Sequence, residues 1–242
     1  MDDATVRTGL PRHLLNAVAR PAIGIWLQSA EMSDPRLPRP DRPQDLEAAS
    51  HHSDRVLLVG NGAAVGYGVL NHDLSLAGNL GRLLTAKTGR ATYVTVVADG
   101  DMTAAGVLEA LRSADLEPYD AVVATVGINE ALRLSSGVRW QRQLERLVAF
   151  MLSPAVPKLQ FFLVAVPPLD SITAVPRWVG AIVERHTREL NARLAAVCAG
   201  HEGVTFVPFH PGPACDVGRY RSTETYREWA QEIVDPIAAR LH

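Results

Sequence analysis

The chain has 242 residues, 47% of them hydrophobic, which is enough for one large buried core. Its formal net charge is −2 and only 6% of its residues are aromatic. The sequence has no basic stripe and no aromatic-basic interleaving, and this argues against a nucleic-acid partner. No apolar stretch approaches the length of a membrane span and no signal peptide is recognisable, so we expect a cytoplasmic protein.

Residues 1–50 differ in character from the rest of the chain. Helical patterns over 11–19 and 22–32 carry many apolar side chains, and residues 33–43 contain four prolines among charged residues. We therefore predict a helical N-terminal extension with a Pro-rich linker over 1–50, and a main domain over 51–242. The apolar side chains of 11–32 pack on the main domain, form a contact with a second copy or another protein, or lie on a membrane surface, which the lack of a strongly basic face disfavours.

From residue 55 the chain alternates strand patterns with helical patterns. The predicted strands are 55–59, 92–98, 119–126, 159–166 and 204–208, and the predicted helices are 73–88, 103–113, 136–152, 177–199 and 223–241. This alternation is typical of an α/β fold with a five-stranded parallel sheet and helices on both faces. We expect Asp73 to be the N-cap of the first of these helices and Gly89 to end it.

Polar residues and glycines follow each predicted strand, where ligands bind in open α/β sheets. They are Asn61 and Gly62, then Asp99, Gly100 and Asp101, then Gly127, Asn129 and Glu130, then Asp170 after Pro167 and Pro168, and finally His210, Asp216 and Arg219. The carboxylates among them lack histidine partners at metal-ligand spacing, and helix capping explains them better. We therefore expect no metal and no cofactor.

Three blocks of the sequence resemble the SGNH or GDSL hydrolases, a family of esterases, lipases and acyl-ester hydrolases. Residues 56–69, VLLVGNGAAVGYGV, look like the first block of the family, a strand followed by Gly-Asp-Ser and a Gly-x-Gly-Val loop. Residues 122–130, VVATVGINE, look like the third block, a strand followed by Gly-x-Asn-Asp. Residues 216–230 look like the last block, Asp-x-x-His-Pro followed by Gly-Tyr-x-x-Trp-Ala. The resemblance implies a three-layer, flavodoxin-like sandwich over about residues 55–240.

The resemblance also implies where the catalytic groups belong. The nucleophilic serine falls on Gly62, which has no side chain to attack an ester, and the aspartate before it is Asn61. The glycine of the second block falls on Gly100 or Asp101, depending on the alignment. The asparagine that binds the oxyanion in this family is present as Asn129.

The last block supplies no histidine at the position of the catalytic base. Asp216 matches the family's aspartate, but three residues later stands Arg219, and an alignment anchored on Tyr226 puts Tyr220 at the histidine position. His210 lies after the fifth strand, but Val207 stands three residues before it in place of an aspartate. Because the serine and the histidine act as a unit, we expect the standard Ser-His-Asp route to be closed.

The sequence is compatible with three functions. The first is a pseudo-hydrolase that binds a small ester, acyl or acetyl ligand, or a partner, in the family's pocket. The second is an active esterase or acyltransferase with a non-standard catalytic set. The third is an interaction protein that uses the N-terminal helices. Ester turnover separates the first two, and an open, ligand-holding pocket separates the first from the third.

Overall fold

A computed structural model describes Pro21, Ile23 and residues 53–168, 176–212 and 222–241. Its centre is a five-stranded sheet with strands β1 (Asp54–Gly60), β2 (Thr92–Ala98), β3 (Ala121–Thr125), β4 (Gln160–Val164) and β5 (Val204–Val207). The strand order is β2-β1-β3-β4-β5, and every neighbouring pair is parallel. The predicted α/β fold with a five-stranded parallel sheet is confirmed.

Within residues 53–168, 176–212 and 222–241, six α-helices connect the strands and cover the sheet. They are α1 (Leu76–Thr88), α2 (Ala104–Ser113), α3 (Ile128–Leu132), α4 (Gly137–Met151), α5 (Arg177–Ala199) and α6 (Thr223–Ala238). Within the described ranges, no helix combines the length and apolarity that crossing a bilayer requires.

The start of α1 differs from the prediction. Ser75 is the N-cap of this helix, because its side chain accepts a hydrogen bond from the backbone N–H of Ala77. Asp73 lies instead in a separate 3-10 turn, His72–Leu74, which is capped by Asn71. Gly89 ends the helix in the left-handed conformation, as predicted. The prediction failed at the N-terminus because two capping side chains, Asn71 and Ser75, follow each other closely, and each caps its own short element.

Two apolar layers lie on opposite faces of the sheet. One includes Leu57, Val122 and Phe161 together with side chains of α2, α4 and α5, and the other includes Val56, Val123 and side chains of α1 and α6. Ile23 is fully buried in the first layer. Apart from Pro21 and Ile23, the N-terminal residues 1–50 lie outside the described residues.

Candidate functional site

The ends of β1 and β3 are held together at the carboxyl edge of the sheet. The backbone N–H of Asn61 donates to the carbonyl of Thr125 at 2.8 Å, and the Thr125 hydroxyl donates to the carbonyl of Asn61 at 3.0 Å. Gly60 is required for this approach, because a Cβ atom there would lie 2.0 Å from the Thr125 carbonyl oxygen. The first and third blocks of the family resemblance therefore meet at one point.

Gly62 follows directly, as the first residue of a short 3-10 turn, Gly62–Val65. Its φ is +58°, a conformation that non-glycine residues adopt at a cost. A Cβ atom there would lie 3.4 Å from Cγ2 of Ile128, an ordinary contact. The position is thus spacious enough for a small side chain, but it carries none.

Asn61 points its side chain at the loop between β2 and α2. The amide nitrogen Nδ2 lies 2.6 Å from the carbonyl oxygen of Met102, and Asn61 is only 2% exposed. A carbonyl oxygen can only accept a hydrogen bond, so Asn61 acts here as a donor.

Asn129, at the start of α3, binds the same loop. Its Nδ2 lies 2.8 Å from the carbonyl oxygen of Gly100 and 3.1 Å from that of Met102. The amide has two N–H groups, and both are directed at backbone oxygens of this chain. The group expected to bind an oxyanion therefore has internal acceptors in this structure.

Gly100 and Asp101 have different surroundings. A Cβ atom on Gly100 would collide with the hydroxyl of Tyr67, so glycine allows this side chain to pack against the loop. Asp101 is exposed, pairs with Arg133 at 3.4 Å, and donates its backbone N–H to the Asp99 carboxylate at 2.8 Å. The backbone N–H of Asp101 is therefore already bound within the chain.

Glu130 completes the contacts with this loop. It is 4% exposed, and its Oε1 accepts the backbone N–H of Ala104 at 3.0 Å, at the start of α2. Its Oε2 is buried and has no hydrogen-bond partner among the described residues. Burial raises the pKa of this carboxyl, against opposing contributions from the Ala104 N–H and the charge of Arg133. Asn61, Asn129 and Glu130 together form what we call the loop clamp, since their side chains bind backbone groups of residues 100–104.

A small cavity lies beside Gly62. Its volume is about 20 Å³, which is room for roughly one water-sized group. The lining is mainly apolar and includes Val126, Ile128, Val164, Phe209 and Trp229, with Asn61, Gly62 and Thr125 at one side. Phe209 and Trp229 meet edge to face, with ring centroids 5.8 Å apart. Trp229 therefore belongs to the pocket wall.

The remaining candidate residues are divided between described and undescribed segments. His210 is exposed, although its neighbour Phe209 lines the cavity. Asp170, Asp216 and Arg219 lie outside the described residues.

The described ranges contain no group of three or more metal-ligating side chains. Cys198 is buried, and desolvation raises the pKa of its thiol to about 12, so it stays protonated and unreactive.

Two contacts shape this edge, and the sequence did not indicate the partners in either of them. The Tyr226 hydroxyl on α6 donates to the carbonyl of Tyr67 at 2.9 Å, across a separation of 159 residues. The side chain of Asn191 on α5 accepts a hydrogen bond from the N–H of Val166, just beyond β4, and donates one to the carbonyl of the same residue. The position of Tyr226 in the last block was the only available signal for the first contact.

Comparison with known proteins gives a consistent family and fold. The profile of the GDSL-like lipase/acylhydrolase family matches residues 58–240. No curated protein matches the chain. Solved structures that share the fold include three that are each less than 20% identical to this chain.

The structure of TesA matches with a TM-score of 0.60 and 19% identity, covering 78% of this chain and all of TesA. An aryl esterase of M. smegmatis in its inhibitor-bound form matches with a TM-score of 0.59 and 17% identity, over 78% of this chain and all of the esterase. A family two carbohydrate esterase from Cellvibrio japonicus matches with a TM-score of 0.57 and 13% identity, over 81% of this chain, which spans 64% of that esterase. On the strength of the profile match over most of its length, the chain belongs to the GDSL-like lipase/acylhydrolase family.

Proposed function

We propose that this chain is a pseudo-hydrolase, which binds a small ligand of the ester, acyl or acetyl type at the pocket beside Gly62 without hydrolysing it. The observation that carries the proposal is Gly62 itself. It stands at the end of β1, where the family has its serine, and glycine has no group that can attack a carbonyl carbon.

The surrounding groups support the same conclusion. The last block has no histidine in either alignment, and the His210 side chain is exposed. Removing a nucleophile and its base together leaves only binding and oxyanion stabilisation. Here even the amide of Asn129 is engaged with the carbonyls of Gly100 and Met102.

The cavity suggests the kind of ligand. Its apolar lining and its volume of about 20 Å³ suit one methyl-sized group, such as the methyl of an acetyl ester. The rest of the ligand would lie at the carboxyl edge, near the loop clamp. A cytoplasmic location remains part of the proposal, since the two cysteines do not suggest a disulfide framework.

The test compares hydrolysis and binding in the same proteins. We expect p-nitrophenyl acetate to be hydrolysed no faster than in buffer by the wild type, by Gly62→Ser and by the control Gly212→Ser. Gly212 is a suitable control, because a Cβ atom there meets nothing within 4 Å. Ethyl acetate should shift the NMR signals of Ala63 and Ile128 in the wild type.

Two results would contradict the proposal. Turnover by the wild type at a kcat of about 1 per second or more would show an active enzyme with a non-standard catalytic set. The absence of any shift with ethyl acetate at millimolar concentration would remove the ligand-binding part and leave only the family relationship.

A further inference from the structure

The two edges of the sheet are protected to different degrees. Edge strands expose backbone donors and acceptors, and proteins guard them with short strands, charges, prolines or bulges. At one edge, β5 has four residues and is followed directly by Pro208. At the other edge, β2 has seven residues, Thr-Tyr-Val-Thr-Val-Val-Ala, with no charge and no proline. Within the described residues, β2 pairs only with β1.

The neighbouring hydrogen bonds identify which groups of β2 point outward. The carbonyl of Ala91 accepts a hydrogen bond from the backbone N–H of Asp54, and the N–H of Asp99 donates to the carbonyl of Gly60. The odd-numbered residues of β2 therefore direct their backbone N–H and C=O groups at β1. The backbone N–H and C=O groups of the even-numbered residues therefore point away from β1, toward the open edge. The N–H of Thr92 agrees with this, since it donates to the side chain of Thr85 on α1 rather than to β1. Val94 and Val96 present their backbone groups at the open edge.

We propose that β2 pairs antiparallel with β2 of a second copy of this chain, joining two sheets across a twofold axis at Thr95. In this alignment Val94 exchanges both backbone hydrogen bonds with Val96 of the partner subunit, and the reverse pair follows by symmetry. The strand is self-complementary for this arrangement, because its outward groups fall on positions equidistant from Thr95.

The side chains of one face suit the same pairing. Thr95 meets the partner's Thr95 at a position without backbone hydrogen bonds, where side chains lie closest. Val97 is 36% exposed and comes to lie opposite the partner's Tyr93, an aromatic–β-branched pair.

The charges at the ends of β2 favour the antiparallel direction. Arg90, whose side chain is 46% exposed and pairs with Asp54 of its own chain at 2.7 Å, precedes the strand, and the exposed Asp99 follows it. Antiparallel pairing brings Arg90 near the partner's Asp99 at both ends of the junction. A parallel alignment would place like charges together.

The test uses the full chain and measures its mass and its amide exchange. Light scattering after size exclusion should give twice the 26.2 kDa chain mass at high concentration. Val97→Lys places a charge on the edge strand, as many proteins do to prevent edge-to-edge pairing, and it should raise the dissociation constant of the dimer by about tenfold or more. Val138→Lys is the control, since Val138 is 50% exposed on α4, and it should leave the dimer unchanged. Asp99→Lys should also weaken the dimer, because it sets a lysine beside the partner's Arg90.

Hydrogen exchange places the contact on the strand. The amides of Val94 and Val96 should be protected in the concentrated dimer and should exchange faster on dilution. Circular dichroism checks that Val97→Lys remains folded. A wild type that stays monomeric at all concentrations, or a dimer indifferent to both Val97→Lys and Asp99→Lys, would overturn the proposal.

Discussion

Replacing Asn61 by aspartate restores the residue that the family carries at this position, and we expect it to destabilise the protein. Asn61 is 2% exposed, and its amide donates to the Met102 carbonyl over 2.6 Å. An ionised carboxylate cannot donate, so two acceptors would face each other in a buried site. Leaving a buried group unsatisfied costs about 1–3 kcal/mol and more when it is charged, so we expect a loss of roughly 3 kcal/mol at neutral pH.

The loss should depend on pH with a definite sign. Repulsion from the Met102 carbonyl and burial both raise the pKa of the new carboxyl in the folded state above its unfolded value of about 3.9. A group of this kind stabilises the fold fully below its unfolded pKa, where its O–H can donate to Met102. That contribution is lost as pH rises through the folded pKa. Since one pKa unit is worth about 1.4 kcal/mol, a loss of roughly 3 kcal/mol corresponds to a window from about pH 4 to pH 6.

The assay is urea unfolding of the wild type and Asn61→Asp between pH 4 and pH 8, analysed as the difference between the two proteins. Asn71→Asp is the matched control. Asn71 is exposed, and its side-chain oxygen accepts the Leu74 N–H, so an aspartate keeps this bond. We expect the control to be neutral or slightly stabilising at all pH values. A difference for Asn61→Asp that is absent at neutral pH, or that does not vary with pH, would refute the donor role of Asn61.

Three further changes test the clamp and the core. Asn129→Ala should lower the free energy of unfolding by roughly 1–3 kcal/mol in urea titrations, because two backbone carbonyls lose their donor. Glu130→Gln keeps an acceptor for Ala104 and removes a carboxyl whose pKa is raised. Relative to the wild type it should therefore gain stability as pH rises above about 4.3, with no gain below that value. Ile23→Ala should cost roughly 2–5 kcal/mol by calorimetry, and Leu70→Ala, at a residue 75% exposed, close to nothing.

The sheet could be predicted because its signals are local. Each strand is a short apolar run bounded by glycine, proline or polar residues, and each helix between them has a periodic apolar face. The predicted strand 92–98 agrees with β2 at both ends. The third strand is shorter than predicted, Ala121–Thr125 rather than 119–126. The five-residue helix α3 was not predicted, since Ile128–Leu132 is too short to show a period.

The contacts of the site could not be predicted in the same way. The sequence identifies Asn61 and Asn129 as polar residues at strand ends, and both do lie at the carboxyl edge. Their hydrogen bonds to Met102 span 41 and 27 residues, and no local pattern encodes such pairs. Whether an asparagine points into an open pocket or at a backbone carbonyl depends on how the β2–α2 loop packs, which is a tertiary property.

The two departures from the family's Gly-Asp-Ser sequence, Asn61 and Gly62, are physically compatible with each other. A nucleophilic serine at position 62 would need a neighbouring group that accepts its proton. A glycine has no such requirement, and the hydrogen bonds of the loop clamp then contribute only to stability. With glycine at position 62, a neutral amide at position 61 suits the site better than a carboxylate, because it donates to Met102 in a buried site. The same reasoning explains why Asn129 is retained without a serine: its amide holds the carbonyls of Gly100 and Met102. Restoring the serine alone would therefore place a hydroxyl beside donors that are already engaged, in a chain whose last block contains no histidine.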